Sequence, residues 1–361
     1  MEKFLIINPF GIGDVLFTTP VIRAIKEAFA DSFIGYWCNE RVQAILKDDP
    51  NIDKIFPISR GDIKKIYDNS KWQGIKKSFW LYRQLRKDKF DVSLDFSLDH
   101  RYGWISQAAG IKKRIGFNYK NRGIFLNHKI NLSGYQAKHA VEYYLELLKF
   151  LSIKVKVENL YLCVNEKSRI KAKAIFKHAG ISGSDLVIGI APGAGGSWGK
   201  DAGLKHWPAL RFAQLAERLR AELGARIIVL GDETERPLAD VIVNSIKIKP
   251  IDLVGKTTLE EFAAIINNLS LLVTNDGGPL HMAVALGVKT VSIFGPVDDK
   301  VYGPFPLSDQ HIVIKKSLPC RPCYYNFKMP VCEQDRECLK TISVDEVFGV
   351  VKNILNTEAA K

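Results

Sequence analysis

Short β-branched apolar runs alternate with stretches of helical periodicity along most of the chain. In the first half Phe4-Leu5-Ile6-Ile7, Phe33 to Trp37 and Val92-Ser93-Leu94-Asp95-Phe96 read as strands, while Val21, Ala24, Ile25 and Ala28 fall on one helical face. His139 to Leu151 has the pattern of a further helix, and Ser152 to Lys173 is charged and irregular, as a linker would be. In the second half Leu186 to Ala191, Arg226 to Leu230, Leu271 to Thr274 and Thr290 to Phe294 are β-rich, each followed by a glycine-containing turn and a helical pattern. Two capping boxes, Thr258-x-x-Glu261 and Ser343-x-x-Glu346, open helices whose inner faces are Leu259, Phe262, Ala263, Ile266 and Val347, Val350, Val351, Ile354. The alternation predicts an α/β chain built on parallel sheets with crossover helices. No internal repeat is evident in the residues themselves.

A chain of 361 residues with 47% hydrophobic content suits two domains, each with its own core. Dividing it within the linker gives 1–165 and 166–361, both of Rossmann size, with the last helix able to pack back on the first domain. No apolar run reaches the roughly 18 residues of a membrane span. Met1 to Asn8 is too short, and is followed by Pro9, for a signal peptide, so a cytoplasmic location is expected. Lys and Arg exceed Asp and Glu by 13, which favours an anionic partner: nucleic acid, an anionic membrane face or a phosphorylated lipid. The excess is uneven. From Arg60 to Lys89 ten Lys/Arg face three Asp and are interleaved with Tyr67, Trp72, Phe79, Trp80 and Tyr82. From His100 to Val141 eight Lys/Arg stand with no acid at all, so the anionic partner is expected at the N-terminal half unless these runs are only a solvated surface.

Candidate chemistry lies where apolar runs give way to glycines. Asn275-Asp276-Gly277-Gly278-Pro279-Leu280-His281 follows a strand and opens a helix, so its backbone N–H groups can receive a diphosphate. Asp276 would repel phosphate and is better suited to sugar hydroxyls, while His281 could donate to a phosphate oxygen. The same residues also suit a tight strand-to-helix turn with an Asp cap and a packed histidine. Ala191-Pro192-Gly193-Ala194-Gly195-Gly196-Ser197 leads through Lys200 and Lys205 to Trp207-Pro208; it fits anion binding but is neither a P-loop nor a dinucleotide fingerprint. Gly231-Asp232-Glu233-Thr234-Glu235 supplies carboxylates where a ribose would lie. At the N-terminus Gly11-Ile12-Gly13-Asp14 places one carboxylate at a strand tip, either as a general base for an acceptor hydroxyl or as a helix cap.

Together these motifs resemble the bacterial heptosyltransferases of glycosyltransferase family 9, from Phe4 to about Leu355. The likeness is carried by Gly-x-Gly-Asp-Val-Leu with Thr-Pro after it, by Pro-Gly-Ala leading to Lys-His-Trp-Pro, and by Asn-Asp-Gly-Gly-Pro-Leu-His followed by Ala-Leu-Gly and Phe-Gly-Pro. It implies a GT-B fold, two Rossmann-like domains across a cleft, with ADP-heptose on the C-terminal domain and a lipid acceptor on the N-terminal one. It also implies inverting transfer of heptose to the Kdo or heptose of the lipopolysaccharide inner core, with no obligatory cofactor or catalytic metal. By motif position Asp14 corresponds to the catalytic base, Lys205 to the diphosphate lysine, Glu235 to the ribose acid and Asp276 to the heptose acid. Gly277, Gly278 and His281 match the phosphate-side turn, with Gly193 beside it. Gly277 stands where the family often has Ser or Thr, and the long loop from Gly193 leaves open whether Ser197, Lys200 or Lys205 makes the main phosphate contact. In this setting the basic residues 60 to 138 would hold Kdo carboxylates and lipid A phosphates at the cytoplasmic face of the inner membrane, with Gly13, Arg101 and Arg122 as acceptor ligands.

Cys320-x2-Cys323-x8-Cys332-x5-Cys338 could hold a structural zinc, although its spacings are not a pair of C-x-x-C knuckles. Two other readings remain: a related transferase with a protein or other glycan acceptor, and a non-catalytic nucleotide or nucleic-acid binder. The chain shows no RNP, helix-turn-helix or zinc-finger signature, so no nucleic-acid partner is expected.

Overall fold

The structure, a computed structural model, describes residues 1–156 and 158–356, with the side chains of Arg60, Ser197 and Lys200 outside the described set. It forms two compact units, Met1–Cys163 and Val164–Lys361.

The first unit is built on six parallel strands in the order β3-β2-β1-β4-β5-β6. They are β1 (Lys3–Ile7), β2 (Phe33–Cys38), β3 (Lys54–Pro57), β4 (Val92–Asp95), β5 (Lys113–Tyr119) and β6 (His128–Leu132). Phe4 to Ile7 are fully buried, as expected of a central strand covered on both faces, where side chains read as one apolar run. Ile7 pairs with Trp37 on one side and Asp95 on the other, so the tips of β1 and β4 lie side by side where the strand order reverses. Open α/β sheets take ligands at that point.

The second unit repeats the arrangement. Its strands are β7 (Val187–Ala191), β8 (Arg226–Val229), β9 (Ile251–Asp252), β10 (Leu271–Asn275), β11 (Thr290–Ile293) and β12 (His311–Ile314), in the order β12-β11-β10-β7-β8-β9. Counted from the first strand of each unit, both sheets read 3-2-1-4-5-6. Ala191 pairs with Thr274, which sets the reversal between β7 and β10 and brings the two glycine loops together.

Four of the strands absent from the apolar pattern, β3, β6, β9 and β12, are the edges of the two sheets. Edge strands are short and carry polar residues because one side lacks a partner. The fifth, β5, opens on Lys113-Arg114 before its buried stretch from Ile115. The linker expected over Ser152 to Lys173 contains the start of a helix, Glu166–His178, whose N-cap Asn165 accepts the backbone N–H of Ser168 at 2.8 Å. The helix expected from His139 is an α-helix, Ala140–Glu146, that tightens into a 3-10 turn, Leu147–Leu151. Ala28 is exposed at the end of Thr19–Ala28 rather than on its inner face, and Leu259 and Val350 are only half-buried. The last helix, Val344–Asn356, buries Val347, Phe348, Val351 and Ile354 in the second unit's own core with Trp207 and Phe212.

Candidate functional site

Asn275 organises the switch point of the second unit. Its amide nitrogen donates to the carbonyls of Pro192 and Gly193, and its amide oxygen accepts the N–H of Trp207 at 3.0 Å. One buried side chain thereby ties the β10 tip, the loop after β7 and the segment that follows Lys205. Trp207 is fully buried, stacks edge-on against Phe212 at 4.8 Å and donates its indole N–H to Ile342. The position of Lys205 is fixed by these neighbours. Its ammonium lies 2.7 Å from the Asp276 carboxylate and 4.1 Å from the Trp198 ring centroid, and the two charged side chains are only 3% and 6% exposed. Charges buried this deeply persist only when paired.

Beside the pair the chain turns into Gly278–Ala285, with Pro279 in the first helical turn and His281 buried within it. Gly277 is fully extended, and a Cβ there would sit 3.1 Å from the Ala194 carbonyl oxygen. The glycine therefore lets the two loops close on each other, a reason for its presence that its missing hydroxyl alone did not suggest. Glu235 closes the loops from the other side. Its carboxylate accepts the N–H of Gly195 at 3.2 Å and, in a capping box with Asp232, the N–H of Asp232 at 3.1 Å. Burial, then the neighbouring Asp232, holds its pKa above the usual carboxylate range. A Cβ on Gly193 would fall 1.5 Å from this carboxylate.

The second unit thus gathers Gly193, Lys205, Glu235, Asp276, Gly277, Gly278 and His281 around its switch point. Ser197 and Lys200 lie on the 3-10 segment Gly196–Lys205, their side chains outside the described residues. Three neighbours were passed over in the sequence: Asn275, Trp198 and His206. His206 is held well below its ordinary value, to about 4, by burial and then by the charges of Arg336 and Lys205. Each sits inside or next to a quoted motif, but only the fold shows what it touches.

In the first unit Asp14 lies in the first turn of Ile12–Leu16, half-buried, just beyond the β1 tip. The N-cap position is Gly11, and Asp14 is the acidic residue of the helix's first turn. Asn8 donates to the Asp14 carbonyl at 2.8 Å and Asn39 donates to the Phe10 carbonyl at 2.7 Å, which pins the loop carrying Gly13 and Asp14. Arg101 and Arg122 are exposed. Arg122 walls a small cavity of about 10 Å³ with Asp95, Asp99, His100 and Phe117, and the Arg101 guanidinium lies 3.8 Å from Asp99. The stretch without acids is therefore met by carboxylates just upstream of it. Asp95, buried at the β4 tip, accepts the Ser97 N–H at 2.8 Å, and burial pushes its pKa up to about 7.

Cys320, Cys323, Cys332 and Cys338 are free thiols lining one cavity of about 30 Å³ with Leu204 and Pro296. Burial and the neighbouring Cys320 push the Cys323 thiol up to about 11. Among the described residues no group of three or more His, Cys, Asp or Glu is placed to hold a metal ion.

Two Rossmann-like units, each with a glycine turn at its switch point, make up the architecture. The model of glycosyltransferase family 9 (heptosyltransferase) matches residues 78–330, and the chain belongs to that family. Lipooligosaccharide heptosyltransferase 2 of Campylobacter jejuni is 27% identical over 358 residues, 98% of each chain. The glycosyl transferase family 9 structure from Veillonella parvula superposes with a TM-score of 0.82 at 23% identity, covering 99% of this chain and 98% of that one. That of the E. coli ADP-heptose lps heptosyltransferase II does so with a TM-score of 0.77 at 21% identity, covering 99% and 100%. The fold is GT-B, and the protein is a glycosyltransferase; the non-catalytic binder is set aside. No helix among the described residues is long and apolar enough to cross a membrane.

Proposed function

We propose that this chain transfers a heptose, with inversion, from ADP-heptose to the Kdo- or heptose-bearing inner core of lipopolysaccharide. The observation that carries the reading is the buried Lys205–Asp276 pair at the second switch point, held between a glycine loop and a helix start. A diphosphate at this turn meets Lys205 and the N–H groups of Gly277 and Gly278, with His281, Gly193, Ser197 and Lys200 around it. Asp276 accepts hydrogen bonds from the heptose hydroxyls, and Glu235 receives the ribose. In the first unit Asp14 takes the proton of the acceptor hydroxyl as its oxygen bonds the anomeric carbon and ADP leaves. Gly13, Arg101 and Arg122 hold the anionic acceptor, and the enzyme works peripherally at the cytoplasmic face of the inner membrane without an obligatory cofactor.

Incubation with ADP-heptose and a panel of truncated lipopolysaccharides, read by mass spectrometry, tests the assignment. Addition of one heptose to one truncated form, with release of ADP, is expected. Binding of ADP-heptose without transfer to any of them would reject the acceptor.

A further inference from the structure

The helix Lys71–Asp88 has two faces of unusual character. Inward, Gly74, Leu81 and Leu85 are buried, with Gly74 pressed so closely on the Tyr67 ring of Arg60–Asn69 that a Cβ would approach it to 2.5 Å. Outward, Trp72, Ile75 and Phe79 follow the i, i+3, i+7 spacing of one stripe, at 64%, 50% and 57% exposure, with Trp80 beside them. Cations cover the rings: Lys76 lies over Trp72 at 5.2 Å, Lys77 over Trp80 at 4.8 Å and Arg83 over Phe79 at 5.9 Å. The helix has no acid before Asp88, whose carboxylate is taken by Lys54 at 2.7 Å. Among the described residues no carboxylate pairs with Lys76, Lys77, Arg83 or Arg86.

We propose that this helix docks in the plane of an anionic lipid surface, with Trp72, Ile75, Phe79 and Trp80 at the headgroup boundary and Lys76, Lys77, Arg83 and Arg86 on the lipid phosphates. Aromatic rings and cations at one level, with no carboxylate among them, match a surface that is apolar just beneath a negative layer. An acidic protein groove offers the charge without the apolar depth. The inference rests on the proposed function only in that a membrane-borne acceptor gives the docking a purpose.

Sedimentation with phosphatidylcholine vesicles, with and without phosphatidylglycerol and free of lipopolysaccharide, tests it. Binding should require the anionic lipid and weaken with salt, each cation contributing about fivefold. The triple variant W72S/F79S/W80S should lose at least about tenfold in partitioning, and K76Q/K77Q/R83Q/R86Q should bind weakly and without salt dependence. Transfer to a deacylated, soluble acceptor should be retained by the aromatic variant. Equal sedimentation of wild type and aromatic variant overturns the proposal. So does a wild-type dimer that this variant splits, which makes the face a self-association surface. Absence of transfer by the wild type to every acceptor, with vesicle binding intact, defeats the proposed function and leaves the docking standing.

Discussion

Lys205 and Asp276 hold each other in a place where neither could stay charged alone. Removing one partner of such a pair leaves a buried charge uncompensated, at about 3–5 kcal/mol, whereas removing both is far cheaper. Lys205→Ala and Asp276→Ala should each lower the unfolding free energy by about that much, and the double variant by much less than the sum. Denaturant titration of the four proteins checks this, and additive losses would mean the pair is not coupled. Calorimetry separates the roles: Lys205→Ala should weaken ADP and ADP-heptose alike, Asp276→Ala the sugar nucleotide more. Asp14 invites a kinetic test. Asp14→Asn should lower kcat by roughly 100-fold or more with ADP-heptose affinity within a few-fold, because it removes the proposed base and not a proposed donor contact; near-normal turnover would leave Asp14 without a chemical role. Asp95 gives a pH signature. Its folded pKa of about 7 is raised above an unfolded value near 3.9, so its stabilising contribution is full below about pH 4 and lost as pH rises through about 7. The stability of Asp95→Asn relative to wild type should therefore climb from pH 4 to 7 and level off above. His206 runs the opposite way, its contribution present above about 6.5 and lost as pH falls towards 4, but it is common to both proteins and cancels in the difference.

At the scale of elements, legibility followed burial. The covered central strands β1, β4, β7, β10 and β11 declared themselves as apolar runs, whereas the sheet edges, with polar residues facing outward, did not. Asn165 could have signalled the helix that begins inside the expected linker, since an Asn before a charged helical stretch is an N-cap pattern. The loops of the second site were legible as motifs, but not what holds them, because Asn275 and Glu235 act on backbone groups far away in sequence. Glu235 straps the loop after β7 to the turn after β8, and Gly193 leaves room for its carboxylate. Gly193→Ala should push that carboxylate off the N–H groups of Gly195 and Asp232, costing about 1–2 kcal/mol and at least about tenfold in ADP affinity if Glu235 also holds the ribose. Gly183→Ala, with open space around it, is the matched control and should change stability by less than about 0.5 kcal/mol. Equal behaviour of the two variants would show that the strap is dispensable.

The whole molecule carries a repetition that its residues conceal. Both units wind their strands in one order, yet the sequence shows no repeat, because topology constrains where apolar runs fall and not which residues fill them. Each unit also closes a core of its own, around Leu5, Trp37 and Leu85 in the first and Trp207, Phe212 and Val351 in the second. We expect the two cores to open as separate thermodynamic compartments. A nucleotide held by the second raises that compartment's opening free energy by about 2.7 kcal/mol at a hundredfold excess over Kd and has no such leverage on the first. Amide hydrogen exchange should then slow at β7 and β10 when ADP is added while β1 and β4 exchange as before; uniform slowing would mean the chain opens as one. Separate compartments would also let the first unit accumulate substitutions and change what it receives while the second keeps its stability untouched.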